Sequence, residues 1–361
     1  MESISWARAL AWRSRRQFID PAGDAAATGI ARRLAGIQAQ VASSAELAVA
    51  VRQERPVPGE VPRALWEERS LVKTWAMRGT LHLLPADEAA AYLALCATVR
   101  NWEKPSWQKN FGATPADLEA IAAATTGALA DRAALTREEL ATAILDETGS
   151  TRLAGMLGSG WGVLLKPLAW WGVLCHGPSQ GTKVTFTAPS TWLSGWKGIP
   201  EVEDAARIVI RAFLGAHGPA TPEMFDNWLM RKLSRKRDVK DWFAAVEDDL
   251  ALVDVEGVPM WVLAEHLDEL LSTEPTRSVR LLGAFDQYVL GAGTSAAYLI
   301  PAERRAEVSR KAGWISPVVL YEGRVAGVWE PVGDDIAVTT FEDVPPGLLA
   351  AETDRLRALL A

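Results

Sequence analysis

Thr114-Pro115-Ala116-Asp117, then Leu135-Thr136-Arg137-Glu138-Glu139-Leu140, then Gly172-Val173-Leu174-Cys175-His176-Gly177 and Thr182-Lys183-Val184-Thr185-Phe186-Thr187 follow one another through the middle of this 361-residue chain. The first opens a helix: Thr114 can accept from the free N–H groups of a first turn, and Pro115 has the φ such a turn requires. The alanine-rich run behind it carries the helix to residue 130. Thr136 and Glu139 have the spacing of a capping box and start a second helix. A third is expected over 162–171. The last two segments flank the turn Pro178-Ser179-Gln180-Gly181 and read as a hairpin. The order is helix, helix, helix, hairpin.

That order is the plan of a winged helix-turn-helix unit, a fold that commonly turns one helix toward DNA. It recurs on the C-terminal side. A helix over 202–216 stops at His217-Gly218-Pro219, Thr221-Pro222 opens a second, and 236–250 is a third. Strands 250–255 and 258–263 then flank Glu256-Gly257. An N-terminal copy places helices at 4–15, 24–34, 44–52 and 62–69, with strands 71–77 and 81–84 around Arg78-Gly79-Thr80. From residue 278 the pattern changes to short strands at 279–283, 318–321, 325–330 and 336–341, closed by a helix over 348–360. The expected fold is mainly α with β-hairpin wings (α+β): tandem winged helix-turn-helix units at 1–105, 106–197 and 198–277, plus a small β-rich C-terminal module at 278–361.

Composition narrows the setting. No apolar run reaches the length that spans a bilayer, and the N-terminus lacks the basic-then-apolar plan of a signal peptide. Only two cysteines occur, without metal-ligand spacing. A cytoplasmic, monomeric protein is expected, with no membrane partner, metal or cofactor. The net charge of −7 weighs against a general nucleic-acid coat protein, but affinity for phosphate depends on local clusters. Arg231-Lys232-Leu233-Ser234-Arg235-Lys236-Arg237 is the largest such cluster, and Arg13-Ser14-Arg15-Arg16 is a smaller one.

Five segments carry a resemblance: Leu34-Ala35-Gly36-Ile37-Gln38-Ala39-Gln40, Trp75 through Leu83, His217 through Pro222, Leu281 through Gly291, and Gly323 through Trp329. In order and spread the chain resembles the winged-helix DNA glycosylases of the AlkZ type, bacterial enzymes that remove bulky alkylated bases and unhook interstrand crosslinks. The family's Gln-x-Gln signature matches Gln38-Ala39-Gln40, which implies that Gln38 and Gln40 are catalytic and resembles the crosslink-unhooking branch. Its Arg-Gly-Thr-x-His segment matches Arg78 to His82, implying DNA contacts by Arg78, Thr80 and His82. DNA contacts are also expected of His176 in the middle hairpin and of Arg231, Lys232, Arg235, Lys236 and Arg237. Asp286 is either a structural hydrogen-bond acceptor or a partner for one of the glutamines. After Gly291 the family often has an arginine, where this chain reads Ala292-Gly293-Thr294-Ser295-Ala296, so a phosphate contact there is expected to be weaker.

The chemistry accommodates two glutamines. Alkylation at N7 of guanine or N3 of adenine leaves the base cationic, so it departs as a neutral species without a general acid. What remains is to hold a water near C1′ and support oxocarbenium character. An amide oxygen can accept from water while its NH₂ donates elsewhere, although it does not act as a strong base. Gln38 and Gln40 share one side of the chain if it is extended there, and diverge if it is helical. Without the resemblance, both glutamines read as ordinary surface residues and His82 as a histidine bonded to backbone. The alternative to a glycosylase is a non-catalytic winged-helix transcriptional regulator, and a further one is a protein that binds an adduct without turnover.

Overall fold

The structure, a computed structural model, describes residues 1–131, 134–159 and 162–360. Among the described residues, helices predominate and the strands assemble into four small sheets. The expected capping chemistry is in place. Thr114 accepts from Asp117 N–H at 3.2 Å while the Asp117 carboxylate accepts from Thr114 N–H at 2.7 Å, and Thr136 and Glu139 exchange the same bonds at 3.2 and 2.8 Å. Helix Pro115–Leu129 and helix Arg137–Thr148 start at these boxes. Two boundaries move for physical reasons. The helix expected over 236–250 ends at Ala244, before the acidic run Glu247-Asp248-Asp249, whose charge is unfavourable at the negative end of a helix. The strand expected over 71–77 ends at Trp75, because Met77–Gly79 forms a 3₁₀ turn with Arg78 at φ 59°.

Three hairpins recur with one topology. Strands Leu71–Trp75 and Leu81–Pro85 take Ile37–Gln38 against the second strand. Strands Cys175–Gln180 and Lys183–Thr187 take Leu135–Thr136 in the same place. Strands Leu250–Val255 and Val258–Leu263 take a single antiparallel bridge from Ala220 to Trp261. In each case the added segment lies just before the helix that begins at Ala42, Arg137 or Pro222. The third sheet also receives Glu2–Ile4, running parallel to Leu250–Val255, a strand that the helix expected over 4–15 had hidden. Val279–Leu282, Val318–Tyr321, Arg324–Val332 and Asp335–Thr340 form a four-stranded antiparallel meander, against which helix Pro346–Leu360 packs.

The core does not divide where the sheets do. One apolar cluster runs from Ala35 to Leu263 and crosses the expected boundaries at 105 and 197. Small helical units of this size each leave an apolar face uncovered, and here the faces cover one another. The cluster under the C-terminal sheet takes in Leu10, Ile19 and Val51 from the N-terminal segment. Most of the described tryptophans sit within or against these clusters, Trp12, Trp75 and Trp228 among the buried ones. Among the described residues, no helix is long and apolar enough to cross a membrane.

Candidate functional site

The turn that leads into Gln38 is a helix ending. After helix Ala27–Arg33, Ala35 takes φ 55° and Gly36 φ 96°, and Gly36 N–H donates back to the Ala31 carbonyl at 2.8 Å. This is the long bond of a Schellman ending, which satisfies a carbonyl the helix would leave open. Gly36 is required on two counts, since a Cβ there would also meet Leu84 at 2.7 Å. With the helix stopped, the chain extends. Gln38 lies opposite His82, and Ala39 N–H donates to the Leu81 carbonyl at 2.8 Å. Gln38 is buried, 7% exposed, and Gln40 is at the surface.

Gln38 Oε1 accepts from Arg78 Nη2 at 3.4 Å. A guanidinium only donates, so the atom facing it must be the amide oxygen. The Nε2 donors and the second lone pair of Oε1 are left without a protein partner among the described residues. Arg78 is itself anchored: Nη1 donates to the Trp228 carbonyl at 2.8 Å, in the last turn of helix Pro222–Met230. Burial, then the neighbouring charge of Arg231, lower the Arg78 pKa to about 10, so it stays a cation at neutral pH. Thr80 shapes the turn, its hydroxyl donating to the Met77 carbonyl at 3.1 Å.

Two more cations lie near this hairpin tip, Lys166 beside Gly79 and the exposed Arg231 close enough for its charge to act on Arg78 and Lys166. Lys166, half-buried on helix Leu165–Trp170, would have its Nζ 3.9 Å from a Cβ placed at Gly79. Arg231 follows helix Pro222–Met230 in the left-handed region at φ 56°, its N–H donating to the Asn227 carbonyl. Burial and the charge of Arg231 both lower the Lys166 pKa. None of the three forms an ion pair among the described residues, although arginines elsewhere such as Arg32, Arg63 and Arg211 do. Lys166 carries no motif, and a single lysine in an apolar helix gives no signal in sequence. Beyond Arg231, Lys232, Arg235, Lys236 and Arg237 are exposed, with Arg237 paired to Asp241 at 3.5 Å.

The histidines are placed differently from the expectation. His82 is fully buried; its Nδ1 donates to the Thr80 carbonyl at 3.0 Å, and burial followed by the charge of Arg78 lowers its pKa to about 3. The ring is neutral and interior, and its Nε2 has no hydrogen-bond partner among the described residues. His176 is interior too: it is packed between Trp75 and Phe186, with ring centroids 4.7 and 5.0 Å away, and burial lowers its pKa to about 3. The N-terminal basic run is also partly interior, since Arg13 is fully buried and donates to the His217 carbonyl at 2.7 Å.

Asp286 is fully paired within the interior. Its carboxylate accepts from Arg52 Nη1 and Nη2 at 2.8 and 2.7 Å and from Tyr288 N–H at 2.8 Å, with both side chains of the ion pair fully buried. These partners, and neither Gln38 nor Gln40, occupy it. The segment after Gly291 turns at Gly293, φ 82°, where a Cβ would be 3.0 Å from Asn227 Nδ2. Among the described residues, no cluster of three or more His, Cys, Asp or Glu side chains could hold a metal ion.

A family profile described as DNA glycosylase AlkZ-like matches residues 31–361, a span that includes Gln38, Arg78 and Asp286. The chain belongs to the AlkZ-like DNA glycosylase family. An interstrand DNA cross-link repair glycosylase of Streptomyces sahachiroi is 48% identical over 340 residues, covering 94% of this chain and 91% of the relative. The structure of Streptomyces sahachiroi DNA glycosylase AlkZ superposes with a TM-score of 0.95 at 47% identity, over 99% of this chain and 97% of that one. This AlkZ-like chain is therefore an enzyme, a DNA glycosylase, and the regulator reading is not favoured.

Proposed function

We propose that this AlkZ-like protein excises alkylated purines, N7-alkylguanine adducts among them, from double-stranded DNA, and unhooks interstrand crosslinks attached through the same kind of base. The observation that carries the reading is Gln38, buried at a bend of the chain and bonded to a guanidinium that has no carboxylate partner among the described residues. A neutral amide held by a cation is suited to a reaction whose leaving group needs no proton. Gln38 Oε1, with one lone pair toward Arg78, uses the other to hold the attacking water, and its Nε2 donates toward the sugar. Gln40, at the surface, reaches the same water from the open side. Positioning and electrostatics supply the acceleration, and proton transfer contributes little. A site without a carboxylate at this point also avoids holding the cationic base as an ion pair.

The three hairpins with their shared topology support tandem winged helix-turn-helix units at 1–105, 106–197 and 198–277, followed by the β-rich module at 278–361. Acting as a monomer in the cytoplasm, the array would lie along duplex DNA, with the cations from Arg231 to Arg237 on phosphates. The test is a duplex carrying an N7–N7 guanine crosslink, incubated with enzyme and run on a denaturing gel. Strand separation followed by alkali-labile abasic sites is the expected result. Crosslinks that persist in the presence of active enzyme remove the unhooking claim, and monoadducts that persist remove the alkylpurine claim.

A further inference from the structure

We propose that Arg78, Lys166 and Arg231 form a clamp for one phosphate group, the one flanking the damaged nucleotide in the strand that loses its base. The inference rests on the alkylpurine-excision reading above and adds to it a defined ligand group and a binding residue, Lys166. The three side chains come from three separate parts of the chain: the tip of the first hairpin, helix Leu165–Trp170 and the turn after helix Pro222–Met230. Arg78 and Arg231 hold left-handed backbone, φ 59° and 56°, a conformation that costs a non-glycine residue free energy unless the surroundings impose it. Arg78 and Lys166 are half-buried beside a third cation, and none of the three has a carboxylate partner among the described residues. The buried Arg52, by contrast, carries Asp286. Like charges drawn together and partly desolvated are unfavourable until an anion joins them.

The geometry favours phosphate as that anion. Arg78 is fixed by its 2.8 Å bond to the Trp228 carbonyl, with the 3.4 Å contact to Gln38 contributing little, so its remaining N–H groups are preset in direction independently of Gln38. A planar fork with fixed orientation, a lysine and a second arginine together match the oxygens of a phosphodiester. The same guanidinium touches Gln38. Seating the phosphate therefore sets the register of the sugar against the amide that is to act on it. Lys232, Arg235 and Lys236, exposed along the surface, supply general attraction without this register.

The experiment uses the full chain and a set of duplexes carrying one N7-methylguanine, each with a single neutral methylphosphonate at a different position around the lesion. A parallel set with a tetrahydrofuran abasic analogue reads affinity. One phosphate position is expected to be critical for the wild-type enzyme, with excision and affinity falling on the order of tenfold. Lys166→Ala is expected to show a similar loss on unmodified DNA and no further loss at that position, while other positions remain additive. Its affinity should also fall less steeply with salt, by about 0.9 in the log–log slope for one lost contact. Lys166→Arg should restore most of the affinity. Losses that multiply at every position, or a Lys166→Ala enzyme equal to wild type, would overturn the clamp. A wild-type enzyme that binds without excising would instead overturn the alkylpurine reading, and the affinity set would still decide the clamp.

Discussion

Gln38 and Gln40 differ by two positions and by nearly everything else. Gln38 is interior and bonded, whereas Gln40 is at the surface. The two substitutions should separate accordingly. Gln38→Ala is expected to lower single-turnover excision on the order of 10²-fold, the size of effect that misplacing a reacting group produces. Gln40→Ala should cost roughly tenfold or less, because solvent can replace an exposed amide. Rapid-quench assays on N7-methylguanine duplex provide the comparison; equal losses would remove the distinction between interior and surface roles. Both residues were singled out through the family resemblance alone; by residue type and spacing they read as ordinary surface polar residues. Lys166 was not visible, because its significance lies in reaching the tip at Gly79, 87 positions away along the chain, and no local pattern encodes that. The burial of His82 and His176 was not legible either. A histidine in a strand looks the same whether its ring faces solvent or, as here, the interior.

At the scale of elements, local chemistry was largely readable. The Thr cap and proline at Thr114-Pro115, the capping box at Thr136, the turn at Glu256-Gly257 and the stop at His217-Gly218-Pro219 fixed helices and hairpins close to where they stand, since each depends on residues within one turn. The three-residue strand Glu2–Ile4 was missed because its pairing partner lies some 250 positions away, at Val253–Val255. Thr136→Ala removes one cap and should destabilise the protein by about 1 kcal/mol. A lowered thermal midpoint with unchanged excision at 25 °C is the expected outcome. An unchanged midpoint would mean that tertiary packing alone holds helix Arg137–Thr148. Gly36→Ala belongs here too: with φ 96° and Leu84 in the way, it should displace the strand that carries Gln38 and reduce both stability and activity. Loss of neither would show that the bend tolerates a side chain.

Across the whole molecule, residues distant in sequence hold the N-terminal part to the C-terminal module. Arg52 and Asp286, 234 positions apart, form a fully buried ion pair. Asp286→Ala strands a buried arginine and should cost about 3–5 kcal/mol, measured by denaturant unfolding. A loss under about 1 kcal/mol would show that water reaches Arg52. Buried histidines set the response to acid. His82, His176 and His217 each have a folded-state pKa near 3, with burial the first cause, against 6.5 in the unfolded chain. The unfolded chain therefore binds more protons between those values. Stability from this source is complete above about pH 6.5 and is lost as pH falls toward 3, by up to about 4 kcal/mol per pH unit if all three titrate together. A flat stability profile between pH 6.5 and 4.5 would contradict the burial of these rings. The central claim, that Gln38 acts in base removal and not in holding the fold or the DNA, is tested most directly by one measurement: single-turnover excision of N7-methylguanine by Gln38→Ala, with DNA affinity and thermal midpoint determined on the same preparation. The account predicts a rate lowered on the order of 10²-fold with affinity and midpoint close to wild type; a wild-type rate, or a rate loss matched by lost affinity, would contradict it.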